Sequence, residues 1–309
     1  MLMSVIFTAI FFDFEPTKSF QLRMVAQKAS TMLGKLVEAN VKSVIATSVA
    51  STVVDGLREN HDALRDYGIH MVRRLVETGM SPYEIAFSQI LPTSIAMVPN
   101  QSQVVRVSPV GIAPPSTDLW QFTQIMDFYL SPAGLPHLPE IRRLAQLSTP
   151  ESDTLLLHYA MEGIRLNGTF GSYRRSTVTT TIEDGPGNLV SIKPDDKVFV
   201  SFVSAARDPA IFPEPDSVKP DRPLDKYIHY GVGEHTCLGK DASMVALTAM
   251  LRTVGKLKGL RRAPGPQGQL KKIPREGGFY VYMMEDQGSY YVFPKTMKIH
   301  WDGELPPLK

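Results

Sequence analysis

The chain has 309 residues, 43% of them hydrophobic, a formal net charge of +2 and a single cysteine. That apolar content is ample for a large buried core, and the near-balanced charge gives no global sign of a nucleic-acid partner. One cysteine excludes an internal disulfide framework and fits a reducing compartment.

The opening run, MLMSVIFTAIFF, is apolar for 12 residues. It is too short to span a bilayer and lacks a basic n-region and a small-residue cleavage site, so a core helix and no transmembrane segment are expected. Helical spacing continues over Ser19–Ala39 and Leu64–Thr78, where Met71, Val72, Leu75 and Val76 form one stripe. Ser81-Pro82-Tyr83-Glu84 predicts a third helix from Pro82 to about Ile95. Ser81 caps it, Pro82 suits its first position, and Glu84 completes a capping box. The Pro-rich stretch 104–117, VVRVSPVGIAPPST, breaks any helix. Helical patterns resume at Leu119–Leu130, Leu138–Gln146 and Thr154–Leu166.

Beyond residue 170 the character changes. Thr177–Ile182 and Leu189–Ile192 flank Asp184-Gly-Pro-Gly-Asn188 and predict a hairpin, and Lys197–Val203 predicts a further strand. Residues 207–228 are too rich in Pro and Asp for either regular element. A glycine-rich loop comes next at 229–240, then a helix to about Lys258, and a closing hairpin from Gly278–Met284 and Ser289–Ile299. The expected class is mainly α with small β-sheets, in one domain.

Three further features carry less information. Residues 251–275 hold eight Lys/Arg and no acid; they read as a solvated loop or as a basic surface facing an anionic lipid face or a fatty carboxylate. His61, His70, His137, His158, His229 and His300 show no metal-ligand spacing and read as structural or exposed. The aromatics Phe279, Tyr280, Tyr282, Tyr290 and Tyr291 suit cross-strand packing.

The cysteine is the informative residue. Cys237 stands among Gly231, Gly233 and Gly239, directly before an apolar helix. A thiolate needs positive potential, which a helix N-terminus supplies. The glycines let the backbone approach something flat without Cβ clashes. Such a loop suits an axial thiolate ligand to haem iron, although a lone cysteine by itself is more often inert and buried.

Its surroundings decide between the two. Tyr230-x-x-Gly233-x-His235-x-Cys237-x-Gly239 resembles the haem-binding loop of cytochromes P450, with Tyr230 where the aromatic is usually Phe and His235 where a basic residue meets a haem propionate. Glu162-Gly-Ile-Arg165 resembles the E-x-x-R helix of that family, here 154–166, and three-residue spacing lets the acid and base pair. Arg207-Asp208-Pro209 through Lys219-Pro220-Asp221-Arg222-Pro223 resembles the meander, 207–228, whose Arg222 would complete a buried Glu162–Arg165–Arg222 triad. The resemblance implies a P450 fold, haem b as cofactor, and Cys237 as iron ligand.

The central helix, about 82–130 with an irregular insertion at 104–121, lacks the acid–threonine pair of an oxygen-activating monooxygenase. It carries instead an amide pair, Asn100 and Gln103. Amides can donate to and orient a peroxide without supplying a strong acid. With Gly34-Lys-Leu-Val-Glu-Ala39 and Asp66-Tyr-Gly-Ile-His-Met71, this segment resembles the C-terminal P450 part of fungal linoleate diol synthases and psi-producing oxygenases. The resemblance implies a fatty-acid hydroperoxide isomerase that forms a dihydroxy fatty acid by O–O cleavage at ferric haem, steered by Asn100 and Gln103. It further implies an N-terminal haem dioxygenase normally on the same chain and a P450 part that is N-terminally truncated here. A cytoplasmic location, or one peripheral to membranes or lipid bodies, goes with it. A catalytically defective P450 fragment and a reductase-dependent monooxygenase are the alternatives.

Overall fold

The structure is a computed structural model that describes residues 16–50, 67–94, 120–169, 171–275, 279–291, 294 and 297–303. The chain divides into two compact units, whose described residues lie within 16–94 and within 120–303.

Among the described residues, the first unit holds three helices. α1 spans Pro16–Ala50 and α2 spans Tyr67–Glu77. α3 (82–94) opens at Pro82 with the expected capping box: the Glu84 N–H donates to Ser81 Oγ, and the Ser81 N–H donates to Glu84 Oε2 at 2.8 Å. It then winds as a π-helix through Ile85–Ile90, the Leu91 N–H reaching back five residues to the Ala86 carbonyl. Such a turn inside an α-helix accommodates an extra residue and re-aims the helical turns beyond it. Val41, Val72 and Ile85, one from each helix, form the core of this unit.

The second unit is built around α6 (Pro150–Asn167). The helix starts four residues earlier than its apolar pattern suggests. Thr149 caps it, Pro150 occupies the first turn, and Ser152 returns a hydrogen bond to the cap. α4 (Trp120–Tyr129), α5 (Leu138–Gln146) and α8 (Lys240–Gly255) pack against it. Ile125, Leu144, Leu156 and Leu251 close the core at 1% exposure or less. Gly255 lets α8 meet α5, since a Cβ there would stand 2.8 Å from that of Ala145.

Among the described residues of the second unit there are four small antiparallel sheets. β1 (Gly171–Arg175) pairs with β4 (Lys197–Ser201), and β2 (Thr180–Glu183) forms the expected hairpin with β3 (Leu189–Ile192). β4 stops at Ser201, whose hydroxyl caps the short α7 (Phe202–Ala205), so the strand expected to reach Val203 is shorter. β5 (Lys258–Arg262) pairs with β9 (Ile299–Asp302), and β6 (Lys272–Pro274) joins β7 (Tyr280–Met283) and β8 (Tyr290–Tyr291). The closing hairpin is thus confined to β7 and β8, and Ile299 belongs to a different sheet.

Candidate haem-thiolate site

The residues of the second unit that sequence singles out fall into two neighbouring groups. The first is held by α6. Glu162 and Arg165 lie one turn apart, and Arg165 grips the carboxylate through both edges, Nε to Oε1 at 2.6 Å and Nη2 to Oε2 at 2.9 Å. Both side chains are essentially inaccessible, Arg165 at 1% and Glu162 at 0% exposure. The remaining Arg165 donors reach the carbonyls of Ala206, Pro215 and Ser217. Arg222 places Nε 3.5 Å from Glu162 Oε1 and donates through Nη2 to the carbonyls of Pro213 and Glu214. Two arginines therefore fasten an irregular segment, 207–228, to a helix through its own backbone oxygens. Planar guanidinium forks suit that task better than a point-charged lysine.

Two further donors to Glu162 escaped the sequence reading. The Lys219 N–H donates to Oε2 at 2.8 Å, and the Tyr227 hydroxyl to Oε1 at 2.7 Å. Burial, reinforced by the Glu162 charge, pushes the Tyr227 phenol well above its ordinary range and keeps it protonated as a donor. With its oxygens so occupied, Glu162 is a structural anchor rather than a proton-transfer group. Phe212 completes the cluster, with Arg165 and Arg222 guanidinium carbons 5.1 and 5.6 Å from its ring centroid.

The second group is the loop at 229–240. Tyr230 is buried, packs with Met161, Phe212 and Tyr227, and offers its carbonyl to the Cys237 N–H at 2.7 Å. Gly231 and Gly233 take φ of +76° and +60°, a region side chains resist, and the Thr236 N–H closes on the Gly233 carbonyl at 3.0 Å. These bonds fold the loop back on itself and set Cys237 immediately before α8. His235 lies in the 3₁₀ turn Gly233–His235; a role for its side chain lies outside what the structure describes. His229 sits between the rings of Tyr227 and Tyr230. Burial, with the Lys240 charge added, lowers its pKa to about 4, so it is neutral near pH 7.

The chemistry of this loop matches a haem. Cys237 is an exposed free thiol, and the next residue, Leu238, is fully exposed. A soft ligand next to an uncovered apolar side chain suits a flat, largely apolar group that carries a metal. Gly239 leaves the side of the thiol open: a Cβ there would stand 3.7 Å from Sγ. Among the described residues, no cluster of three or more His, Cys, Asp or Glu offers a bare metal site. Asn100 and Gln103 lie outside the described residues.

A charged network on α4 was also missed. Asp127, 5% exposed, pairs with Arg262 Nη2 and Lys272 Nζ, each at 2.8 Å, and accepts from Asn167 Nδ2 at 3.0 Å. Lys272 also donates to Asn167 Oδ1 and lies near the rings of Tyr280 and Tyr282. Burial opposes the charge on Asp127, but Lys272, Asn167 and Arg262 together hold its carboxyl below the usual range. The basic stretch 251–275 is therefore no solvated loop throughout. It contains β5 and β6, and its Arg252, Arg261, Arg262 and Lys272 pair with Asp153, Asp302 and Asp127.

Comparison with known proteins agrees with this geometry. The cytochrome P450 family profile matches residues 161–281. Among solved structures, P450BioI in complex with hexadec-9Z-enoic acid ligated acyl carrier protein superposes with a TM-score of 0.58 at 16% identity, over 91% of this chain and 59% of that one. The fold is that of a cytochrome P450. Curated relatives resolve the family further. The bifunctional dioxygenase–epoxy alcohol synthase of Pyricularia oryzae is 50% identical over 98% of this chain. Psi-producing oxygenase A of Emericella nidulans is 44% identical over 100%, and 7,8-linoleate diol synthase of Pyricularia oryzae 29% identical over 96%. The chain belongs to the P450 part of this fungal family of linoleate diol synthases and psi-producing oxygenases. It spans 25%, 27% and 30% of those three relatives, respectively. Family membership implies a haem cofactor.

Proposed function

We propose that this chain carries the second, hydroperoxide-converting step of oxylipin formation, isomerising a linoleate-type fatty-acid hydroperoxide to a dihydroxy fatty acid on haem b held by Cys237. The observation that carries the reading is the exposed thiol of Cys237, set before α8 on a loop closed by the Tyr230 carbonyl. When bound, haem iron supplies cleavage of the peroxide O–O bond and return of oxygen to the carbon chain. The protein's contribution is placement. Cys237 would hold the iron, with the α8 N-terminus favouring the thiolate. Gly233 and Gly239 would keep the loop close to the ring, and His235 would meet a propionate. The Glu162–Arg165–Arg222 network fixes the segment that leads into the loop. Asn100 and Gln103 would hold the peroxide oxygens through amide hydrogen bonds. The hydroperoxide, and a dioxygenase to supply it, are the partners this reading requires.

A second product is favoured by one observation. Identity is 50% to the epoxy alcohol synthase and 29% to the diol synthase. Epoxy alcohol and diol are both isomers of the hydroperoxide, so neither consumes an external electron. Incubation of the haem-loaded chain with linoleate hydroperoxides, without reductant, should give a product of unchanged mass, and chromatography identifies it as diol or epoxy alcohol. Turnover that appears only with NADPH and a reductase would overturn the isomerase reading.

A further inference from the structure

The Asp127 network forms one wall of a surface pocket of about 300 Å³ in the second unit. The charges that line it do not cancel. Arg262 and Lys272 bring two cations, Asp127 brings one carboxylate, and no other described charged residue lines the pocket. The side chains of Arg262 and Lys272 are 15% and 30% exposed, so water screens the excess positive charge only in part. Both Asp127 oxygens are engaged, Oδ1 by Arg262 and Oδ2 by Lys272 and Asn167, so the carboxylate offers an arriving cation no open site.

Donors, by contrast, are left over. Arg262 gives Nε to the Leu130 carbonyl, Nη2 to Asp127 and one Nη1 N–H to the Gly268 carbonyl, which leaves the second Nη1 N–H. Lys272 has three N–H bonds and uses two, on Asp127 and Asn167. Ser131 accepts from the Gly134 N–H at 3.3 Å, and its own O–H has no acceptor among the described residues. Three donors and an excess positive charge call for an anion.

The opposite lining chooses its class. Phe128, Pro132 and Leu270 are apolar and at least partly exposed. An inorganic ion would leave them wet, whereas an alkyl carboxylate covers them while its oxygens meet the cations. The volume is at the low end of ligand pockets, which run from about 300 to 1,000 Å³, and suits a short chain rather than a whole fatty acid.

We propose that this pocket binds a short-chain organic carboxylate, its oxygens on Arg262 Nη1, Lys272 Nζ and the Ser131 hydroxyl and its chain against Phe128, Pro132 and Leu270. The pocket shares no lining residue with the Cys237 loop, so the binding needs no haem.

The test is binding of hexanoate to the full chain, followed by saturation-transfer NMR, with hexanol, inorganic phosphate and linoleate as competitors. Hexanoate is expected to bind. Hexanol and phosphate, each with half of the recognised chemistry, should displace it only weakly. Gln269 is exposed and lines the pocket, so Q269E adds a carboxylate at the rim without touching the core. That variant should weaken hexanoate about fivefold and leave the ligand-free melting temperature unchanged. K272M cancels the excess charge and should weaken hexanoate about tenfold. No saturation transfer to hexanoate, or an affinity that both variants leave alone, overturns the proposal. Phosphate displacing hexanoate at the lower concentration would make this an inorganic-anion site, and linoleate doing so would give the pocket to the substrate chain. Either result contradicts a short-chain ligand.

Discussion

Among single residues, the Glu162 cluster ranks its members by what each leaves behind when removed. Glu162→Gln strands two buried guanidinium groups, a loss of about 3–5 kcal/mol. Tyr227→Phe removes one hydrogen bond to a charged acceptor, about 1.5–3 kcal/mol. Urea unfolding should order them so; equal losses would show that Arg165 and Arg222 do not depend on the carboxylate. The loop glycines divide in the same way. Gly233 needs glycine for its backbone, at φ +60°, so Gly233→Ala should cost about 1–2 kcal/mol. Gly239 has φ of −85°, and its added Cβ would meet Sγ at an ordinary 3.7 Å. Gly239→Ala should leave stability nearly unchanged while weakening haem uptake, measured by titration of the Soret band. A haem affinity equal to the parent's would remove Gly239 from the haem contact. Glu162 and Arg165 were legible in sequence because three-residue spacing brings them together on α6. Arg222, distant in sequence from Glu162, was named only through the motif resemblance, and Tyr227, 65 residues from Glu162 and outside any motif, was not read at all.

The elements set by local signals are the ones that sequence predicts well. α5 matches its predicted span, and the hairpin of β2 and β3 forms around its Gly-Pro-Gly turn. α6 was placed late because its first turn, Pro150 to Asp153, is polar; the cap at Thr149 carried the signal. β5 and β9 were not legible as a pair. Lys-Gly-Leu-Arg-Arg is an unpromising strand by propensity, and its partner is some forty residues away. The same distance hid the counter-charge of the basic stretch. With no acid inside 251–275, Arg262 and Lys272 find theirs on α4, at Asp127. This network has a pH signature. Because the folded state holds the Asp127 carboxyl low, its contribution is present above the unfolded value and is lost as pH falls below about 4. Asp127→Asn should cost roughly 2 kcal/mol at pH 7, discounted for the partial exposure of its partners. It should also flatten the acid limb of the stability profile, read by thermal unfolding. An unchanged acid limb would remove Asp127 as its source.

For the whole molecule, the second unit carries the P450 signature in two connected parts. A buried ion-pair network locks the meander to α6, and the meander leads into a loop that offers one thiol beside an uncovered apolar side chain. The amide pair expected to steer the peroxide lies outside the described residues, so substrate chemistry is tested by product analysis and haem ligation by spectroscopy. Every functional reading of this chain rests on Cys237 as the iron ligand. The ferrous–CO absorption spectrum of the haem-supplemented chain is the sharpest test of that role. A strongly red-shifted Soret band that Cys237→Ser abolishes is expected. A band at the position typical of a neutral ligand, or one that survives Cys237→Ser, would refute thiolate ligation by this residue.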